Sequence, residues 1–286
     1  MTYIPSKEVR LEPMRMSLDD VATVYKRLGA LLSEQADKEV ASLQKATNQT
    51  DADLERQKAN AHAQAFKITV TIAGPNGQSL YGEDVAVFES PSRPDKINLI
   101  YMTNITAYQR FTGHRPANSF ELWFDFSKPP LLDASSPVSA PTPNGSLLKI
   151  SGMTETWVAA VADAVLGITG ARKVPEAWMH KAFAYDAGLV TVALPFAFYL
   201  CWRASSFISS RLAVIHPVVS GAAFVYVFFL SLMLYRMLFG YAKWAFPKVE
   251  LTNNNDTARR HRAILFVIVT GLLVNVVWEF RRLLGP

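Results

Sequence analysis

The chain has 286 residues with 29 Lys and Arg, 24 Asp and Glu, half of its residues apolar, one cysteine and a formal charge of +5. Divided at Asp186, the charge separates into 19 basic and 21 acidic side chains in residues 1–186, a net of −2, and 10 basic and 3 acidic in residues 187–286, a net of +7. The basic excess therefore belongs to the apolar last third and not to a soluble face, which argues against a nucleic-acid partner. The lone Cys201 excludes an internal disulfide and a Cys-rich zinc site.

The opening MTYIPSKEVRLEPMRM is polar and interrupted by prolines, so it is not expected to act as a cleavable export signal. Residues 17–45 read as a helix. Ser17 is placed to cap it, Asp19 and Asp20 fall in its first turn, and Leu18, Val21, Tyr25, Leu28 and Leu32 recur at spacings of three and four. Gln35 and Glu39 then break the stripe, which favours packing on its own domain over a free-standing coiled coil. A second helix is predicted from Thr50 or Asp51 to about Ala65; it is rich in charge, has little to bury and presents a solvated face.

At residue 66 the period changes to two. Phe66, Ile68, Val70 and Ile72 alternate with polar residues, and Gly74-Pro75-Asn76-Gly77 marks a turn into a hairpin partner at 79–81. Further strands are predicted at 97–103, at 120–126, where Phe120, Leu122, Phe124 and Phe126 alternate with Glu121, Trp123 and Asp125, and at 148–150. A closing helix over 154–168 turns Trp157, Val158, Val161, Val165 and Leu166 inward and ends near Gly167 and Gly170. The fold class expected is an α+β soluble domain, with N-terminal helices, a mostly antiparallel sheet of four or five strands and a closing helix, followed by an all-α membrane domain of about three transmembrane helices. The domain boundaries that follow are a helical segment over 1–65, an α+β domain over 66–170, a basic aromatic connector over 171–186 and a transmembrane domain over 187–286. Residues 127–146 interrupt the strand pattern with five prolines and five serines. A stretch of this kind is either a surface excursion between two strands or a partner-binding loop with extended backbone; the first reading is favoured.

Three runs without a charge follow, 187–202, 212–235 and 263–278, giving spans at about 187–203, 212–236 and 263–279. The middle run, 24 residues long, covers about 36 Å, enough for a hydrocarbon core of about 30 Å. The two 16-residue runs reach about 24 Å and are completed by Tyr185, Tyr199, Trp202, Trp278 and flanking arginines at headgroup level. For the third run an interfacial or re-entrant helix is the alternative. Nine Lys and Arg flank the spans on the side of 170–186 and 236–262, against Arg203, Arg211, Arg281 and Arg282 on the other. The positive-inside rule then places the protein in the cell membrane with its N-terminal domain cytoplasmic. Pro195 is expected to kink the first span. His216 before Pro217 reads as an interfacial histidine at a helix entry. Asn275 reads as a polar contact between helices, and Glu279 as a span-end acid beside two arginines.

No phosphate loop, G-x-S-x-G elbow or H-E-x-x-H occurs, and the five histidines are scattered, so no catalytic residue, metal or cofactor is expected. The ligand or partner candidates are His114, Arg115, Glu121, Trp123 and Asp125 on and beside the aromatic strand, with Pro129 and Pro130 in the loop. Glu121 and Asp125 are about 13 Å apart along a strand, too far for a glycosidase pair. The triplets at Asn48, Asn104 and Asn144 matter as glycosylation acceptors only outside the cytoplasm. The expected function is a multi-pass membrane-anchored protein with a cytoplasmic α+β binding or sensing domain. Its partners are the lipid bilayer and a protein or a homo-oligomeric copy. The alternatives are an oligomerising effector that perturbs the bilayer, favoured by Ser220, Gly221, Ala222 and Ala223, and an interfacial membrane enzyme, read from the basic connector and the arginine-rich 236–262 loop.

Overall fold

Period-two patterning becomes a six-stranded antiparallel sheet, and the apolar runs become long helices. The computed structural model describes residues 5–47, 49–129, 138–212, 216–252 and 257–283. Its contacts divide into two units: Met1–Ser127, Asn144–Val174 and Val249–Asn255 form the first, and Lys128–Pro143, Pro175–Lys248 and Asp256–Pro286 the second. The chain thus passes from one unit to the other five times.

The first unit holds β1 (Ser6–Arg10), β2 (Met14–Met16), α1 (Leu18–Ala41), α2 (Asp51–Gln64), β3 (Thr69–Ala73), β4 (Ser79–Gly82), β5 (Leu99–Thr103), α3 (Ile105–Thr112), β6 (Ser119–Asp125), β7 (Leu147–Ser151), α4 (Glu155–Gly170) and β8 (Val249–Leu251). The main sheet runs β1-β7-β6-β5-β3-β4, every neighbour antiparallel. The alternation places Val70, Ile72, Ile100, Met102, Phe120, Leu122, Phe124, Leu148 and Ile150 on one buried face. Against it pack Leu18, Val21, Val24, Leu28 and Leu32 of α1 with Trp157, Val158, Val161, Val165 and Ile168 of α4. The predicted stripe of α1 carries Tyr25; in the structure Val24 is the buried residue, and Tyr25 is half-buried with its hydroxyl donating to the Glu83 carbonyl at 3.1 Å.

Ser17 caps α1 as its sequence position predicts. Its hydroxyl accepts from the Asp20 N–H at 3.1 Å, while one Asp20 carboxylate oxygen accepts the Ser17 N–H at 2.8 Å. The other oxygen takes Arg172, Nη2 at 2.8 Å and Nε at 3.1 Å. Burial alone would raise the Asp20 carboxyl, but these hydrogen bonds and the guanidinium hold it below the usual range. The Gly-Pro-Asn-Gly turn is built with Asn76 and Gly77 both left-handed, φ 64° and 76°, which suits these residue types.

The sheet has more than the five strands expected, and four elements differ from the pattern reading. The first residues, read as part of a helical segment, contain β1 and β2. The strip between β5 and β6 forms the short helix α3, closed by Gly113 at φ 77°. Finally, β8, from the loop between the second and third apolar runs, pairs in parallel with β2, Met14 opposite Val249 and Met16 opposite Leu251. All four of those side chains are buried in the core. Three-residue strands carry no readable period, and their pairing joins residues some 235 positions apart.

The second unit holds α5 (Ala182–Gly188), a π-helical turn at Leu189–Ala193, α6 (Leu194–Phe207), a further π-turn at Ile208–Leu212, α7 (Pro217–Ala245) and α8 (Thr257–Leu283). Three helical stretches, Ala182–Leu212, Pro217–Ala245 and Arg260–Glu279, are long and apolar enough to cross a membrane. The first is 31 residues, about 46 Å, so the helix runs well past the uncharged 16-residue core on which the span was read. The π-turn lies directly before Pro195, where the missing N–H and the ring disturb the ladder. Helices α6 and α7 pack through Phe198 on Phe228, ring centroids 5.4 Å apart, and the Tyr235 hydroxyl donates to the Tyr185 carbonyl at 3.0 Å. Helix α8 is tied at one end by His261, whose Nδ1 lies 2.7 Å from the Tyr241 hydroxyl, and by Arg262 Nε donating to the Ala245 carbonyl at 3.0 Å. At the other end Glu279 lies 3.6 Å from Arg203. The first and third apolar helices therefore run the same way.

Candidate binding face

The sheet's second face gathers side chains that the sequence scatters. Cross-strand register aligns Tyr81, Thr71, Tyr101, Trp123, Leu147 and Arg10 in one row over all six strands. The neighbouring row holds Glu121, Lys149 and Glu8 on β6, β7 and β1. These residues are exposed or half-buried, whereas α1 and α4 lie against the opposite, apolar face.

Each candidate has a definite place. Trp123 stacks beside Tyr101, centroids 5.0 Å apart and tilted by 33°, and the Lys149 ammonium lies 5.8 Å from its ring. Glu121 accepts from the Tyr101 hydroxyl at 3.0 Å, and its other oxygen lies 3.4 Å from Arg115. Desolvation, and then the adjoining Glu121 charge and hydrogen bond, push the Tyr101 phenol up to about 12, so it remains a donor. Lys149 reaches Glu8 at 3.6 Å. Asp125 is spent on the strand end: its Oδ1 accepts from the Ser127 N–H at 3.0 Å, an Asx turn, and its own N–H donates to Ser146 Oγ at 2.9 Å. His114 is exposed beside the α3 cap, its N–H donating to Thr112 Oγ1 at 3.2 Å. Pro129 falls in the second unit, and Pro130 lies outside the described residues.

The structure thus brings Arg115, Glu121 and Trp123 together and leaves Asp125 and His114 at the margin. A depression of about 220 Å³ opens there, lined by Lys7, Glu8, Arg115, Glu121 and Lys149 above Ser119 and Ser151. The side chains turned to this face, the cations Arg115 and Lys149 with the acids Glu8 and Glu121, surround a shallow hollow with a paired aromatic platform alongside, and suit recognition of a mixed-charge surface. Lys7, Glu8, Lys149, Tyr81 and Tyr101 were not among the sequence candidates. The first two belong to a strand without a visible period, and Tyr101 stands in a run, 97–103, apolar enough to mask its alternation.

A second polar group lies inside the second unit. His180 is buried, its Nε2 2.8 Å from the Phe246 carbonyl and its Nδ1 3.0 Å from Thr142 Oγ1. A carbonyl only accepts, so the tautomer that fits is Nε2–H, with the Thr142 hydroxyl donating to Nδ1. Desolvation holds the imidazole pKa below its ordinary value; the carbonyl opposes this, and Lys243 and Lys248 reinforce it. Lys243, also buried, donates to the Val138 and Ala140 carbonyls at 2.7 and 2.9 Å, and Lys248 to the Thr142 carbonyl at 3.2 Å. The end of the proline-rich stretch is thus clipped by side chains flanking the end of α7. His216 caps α7, its Nδ1 accepting the Val218 N–H at 3.2 Å. Asn275 is exposed on α8, and Glu279 faces Arg203. The sequon at Asn48 is outside the described residues. Asn104 is buried, its amide holding Asn118 O and Phe120 N–H at 2.9 Å each, and Asn144 donates to the Leu11 carbonyl at 2.6 Å.

The chain is therefore an α+β sheet protein that carries three helices of membrane-spanning length and apolarity. No protein-family model, no curated protein and no solved structure matches it.

Proposed function

We propose that the protein is a membrane-anchored binding module: three helices cross the cell membrane, and the open face of the sheet, held on the cytoplasmic side, engages a protein partner. The observation that carries the reading is the cross-strand row Tyr81–Thr71–Tyr101–Trp123 with Lys149 and Arg115 beside it, left solvent-facing by a domain whose α1 and α4 serve the other face. Aromatic and arginine side chains on a partly apolar face are what interface centres use. Outward apolar side chains on the three long helices, Phe198 and Phe266 among them, support the anchoring, and the excess of Lys and Arg flanking the spans on one side supports the orientation.

The test is site-specific photo-crosslinking of the full-length protein in its native membrane. A photoreactive phenylalanine at Trp123 should give a discrete adduct that the Arg115→Glu/Lys149→Glu pair abolishes. The same probe at Lys38, outward on α1, should give none. Identical adducts from both positions, or none from Trp123, would refute the binding face.

A further inference from the structure

We propose that α8 docks in the membrane against α8 of a second copy of this chain, through a face formed by Ile264, Ile268, Gly271, Asn275 and Trp278. The inference rests on the reading that Arg260–Glu279 crosses the bilayer. These five positions recur at three and four residues and share one side of the helix, and all five are exposed. Helix α8 meets the rest of the chain at the two ends of this stripe, through His261 and Glu279, and beside it, through Arg262 and the buried Leu265, which leaves the five positions between uncovered.

The sequence predicts Asn275 as a contact between helices, yet no helix of this chain supplies the contact: among the described residues its amide makes no hydrogen bond, and Glu279, one turn away, is turned to Arg203. Four residues in from Glu279, the amide lies about 6 Å inside the span. Lipid tails cover the isoleucines and the glycine without penalty, but they offer an amide neither donor nor acceptor. A carboxamide carries both, so two of them satisfy each other reciprocally. A parallel copy of the same helix brings the matching group to the same depth. Gly271 lies one turn deeper, and a Cβ built on it meets nothing within 4 Å, so the backbones are free to approach there. Arg281 and Arg282 repel their counterparts, but they lie beyond Glu279 on the aqueous side, where water weakens the repulsion and salt limits its range to about 10 Å.

The experiment uses the full chain, dye-labelled, in phosphatidylcholine–phosphatidylglycerol vesicles over a range of protein densities, with association read by energy transfer. Asn275→Leu should weaken association about 3- to 30-fold, the range that membrane polar contacts contribute. Asn275→Gln should retain most of it, and Leu273→Ala, on the opposite face, should change nothing. In a Cys201→Ser background, Gly271→Cys should cross-link on oxidation and Leu273→Cys should not. In the same Cys201→Ser background, Arg282→Cys reacting with an impermeant maleimide on the same side of the membrane as Lys38→Cys overturns the crossing of Arg260–Glu279 and this proposal with it. Protein that stays inserted yet remains monomeric at every density, or an Asn275→Leu variant that associates like the original, overturns the α8 pairing alone.

Discussion

Strand β8 is the least obvious part of the first unit and the most direct to test. A fragment of residues 1–174 contains every strand of the main sheet but lacks 249–255, so Met14 and Met16 lose the partner strand that buries them. Val249 and Leu251 are 4% and 5% exposed. At about 1.5–3 kcal/mol for each side chain removed from water, their burial contributes about 3–6 kcal/mol. The Arg15–Glu250 pair at 2.8 Å, partly exposed, adds at most about 1 kcal/mol. Against a typical total of about 5–15 kcal/mol, this loss brings the fragment near its folding limit. The assay is urea unfolding followed by tryptophan fluorescence. It compares 1–174 with the same fragment extended by a flexible linker and residues 247–252. With a slope of about 2 kcal/mol/M, the extended form should unfold about 1.5–3 M later. Midpoints within about 0.5 M of each other would refute the structural role of β8.

Other expected outcomes follow from particular contacts. Trp123→Ala should shift unfolding by about 1 kcal/mol or less, since the ring is only half-buried, while abolishing the photo-crosslinked adduct obtained from a probe at Tyr101. The folded Asp20 carboxyl lies below its unfolded value, so its contribution is complete above about pH 4 and is lost as pH falls through the lower folded value. Arg172→Met, which removes the ion pair, should therefore lower the denaturation midpoint at pH 7, by an equivalent of about 1 kcal/mol or less, and lower it less at pH 2. His180 has a lowered pKa, so the unfolded ring takes up protons first, and the hold on residues 138–142 is complete above about pH 6.5 and weakens on acidification below it. Protection of that segment against hydrogen exchange in nanodiscs, expressed relative to the intrinsic exchange rate at each pH, should fall between pH 7.5 and 5.5; protection independent of pH would contradict the buried neutral imidazole. Gly113→Ala should cost about 1 kcal/mol in thermal or urea unfolding, because the cap sits at φ 77°.

Where the side-chain period was strong, sequence and structure agree. The α1 stripe with its Ser17–Asp20 cap, the alternation of β6 and the inward face of α4 are all visible in residue spacing. The elements that escaped are short or non-local. β1 has Val9 as its only large apolar residue, and β2 and β8 have three residues each. The site was legible in part for the same reason. Glu121 and Trp123 alternate on a strand that could be recognised, while Lys149, Glu8 and Tyr101 join them only through register across four strands, which no linear pattern contains. The clip formed by Lys243, Lys248 and His180 on Thr142 and its neighbours was likewise hidden. Basic residues flanking a span read first as topology signals, and their carbonyl partners lie about a hundred positions away.

The orientation of the two units across the bilayer is the claim on which the binding reading depends, and cysteine accessibility measures it directly. In a Cys201→Ser background, single cysteines at Lys38, Ser209 and Arg282 are treated with a membrane-impermeant maleimide in intact cells. Three crossings with the sheet domain in the cytoplasm predict that Ser209→Cys and Arg282→Cys are labelled, and that Lys38→Cys is labelled only after the membrane is opened. Labelling of Lys38→Cys in intact cells would contradict the cytoplasmic placement, and protection of Arg282→Cys would contradict the third crossing.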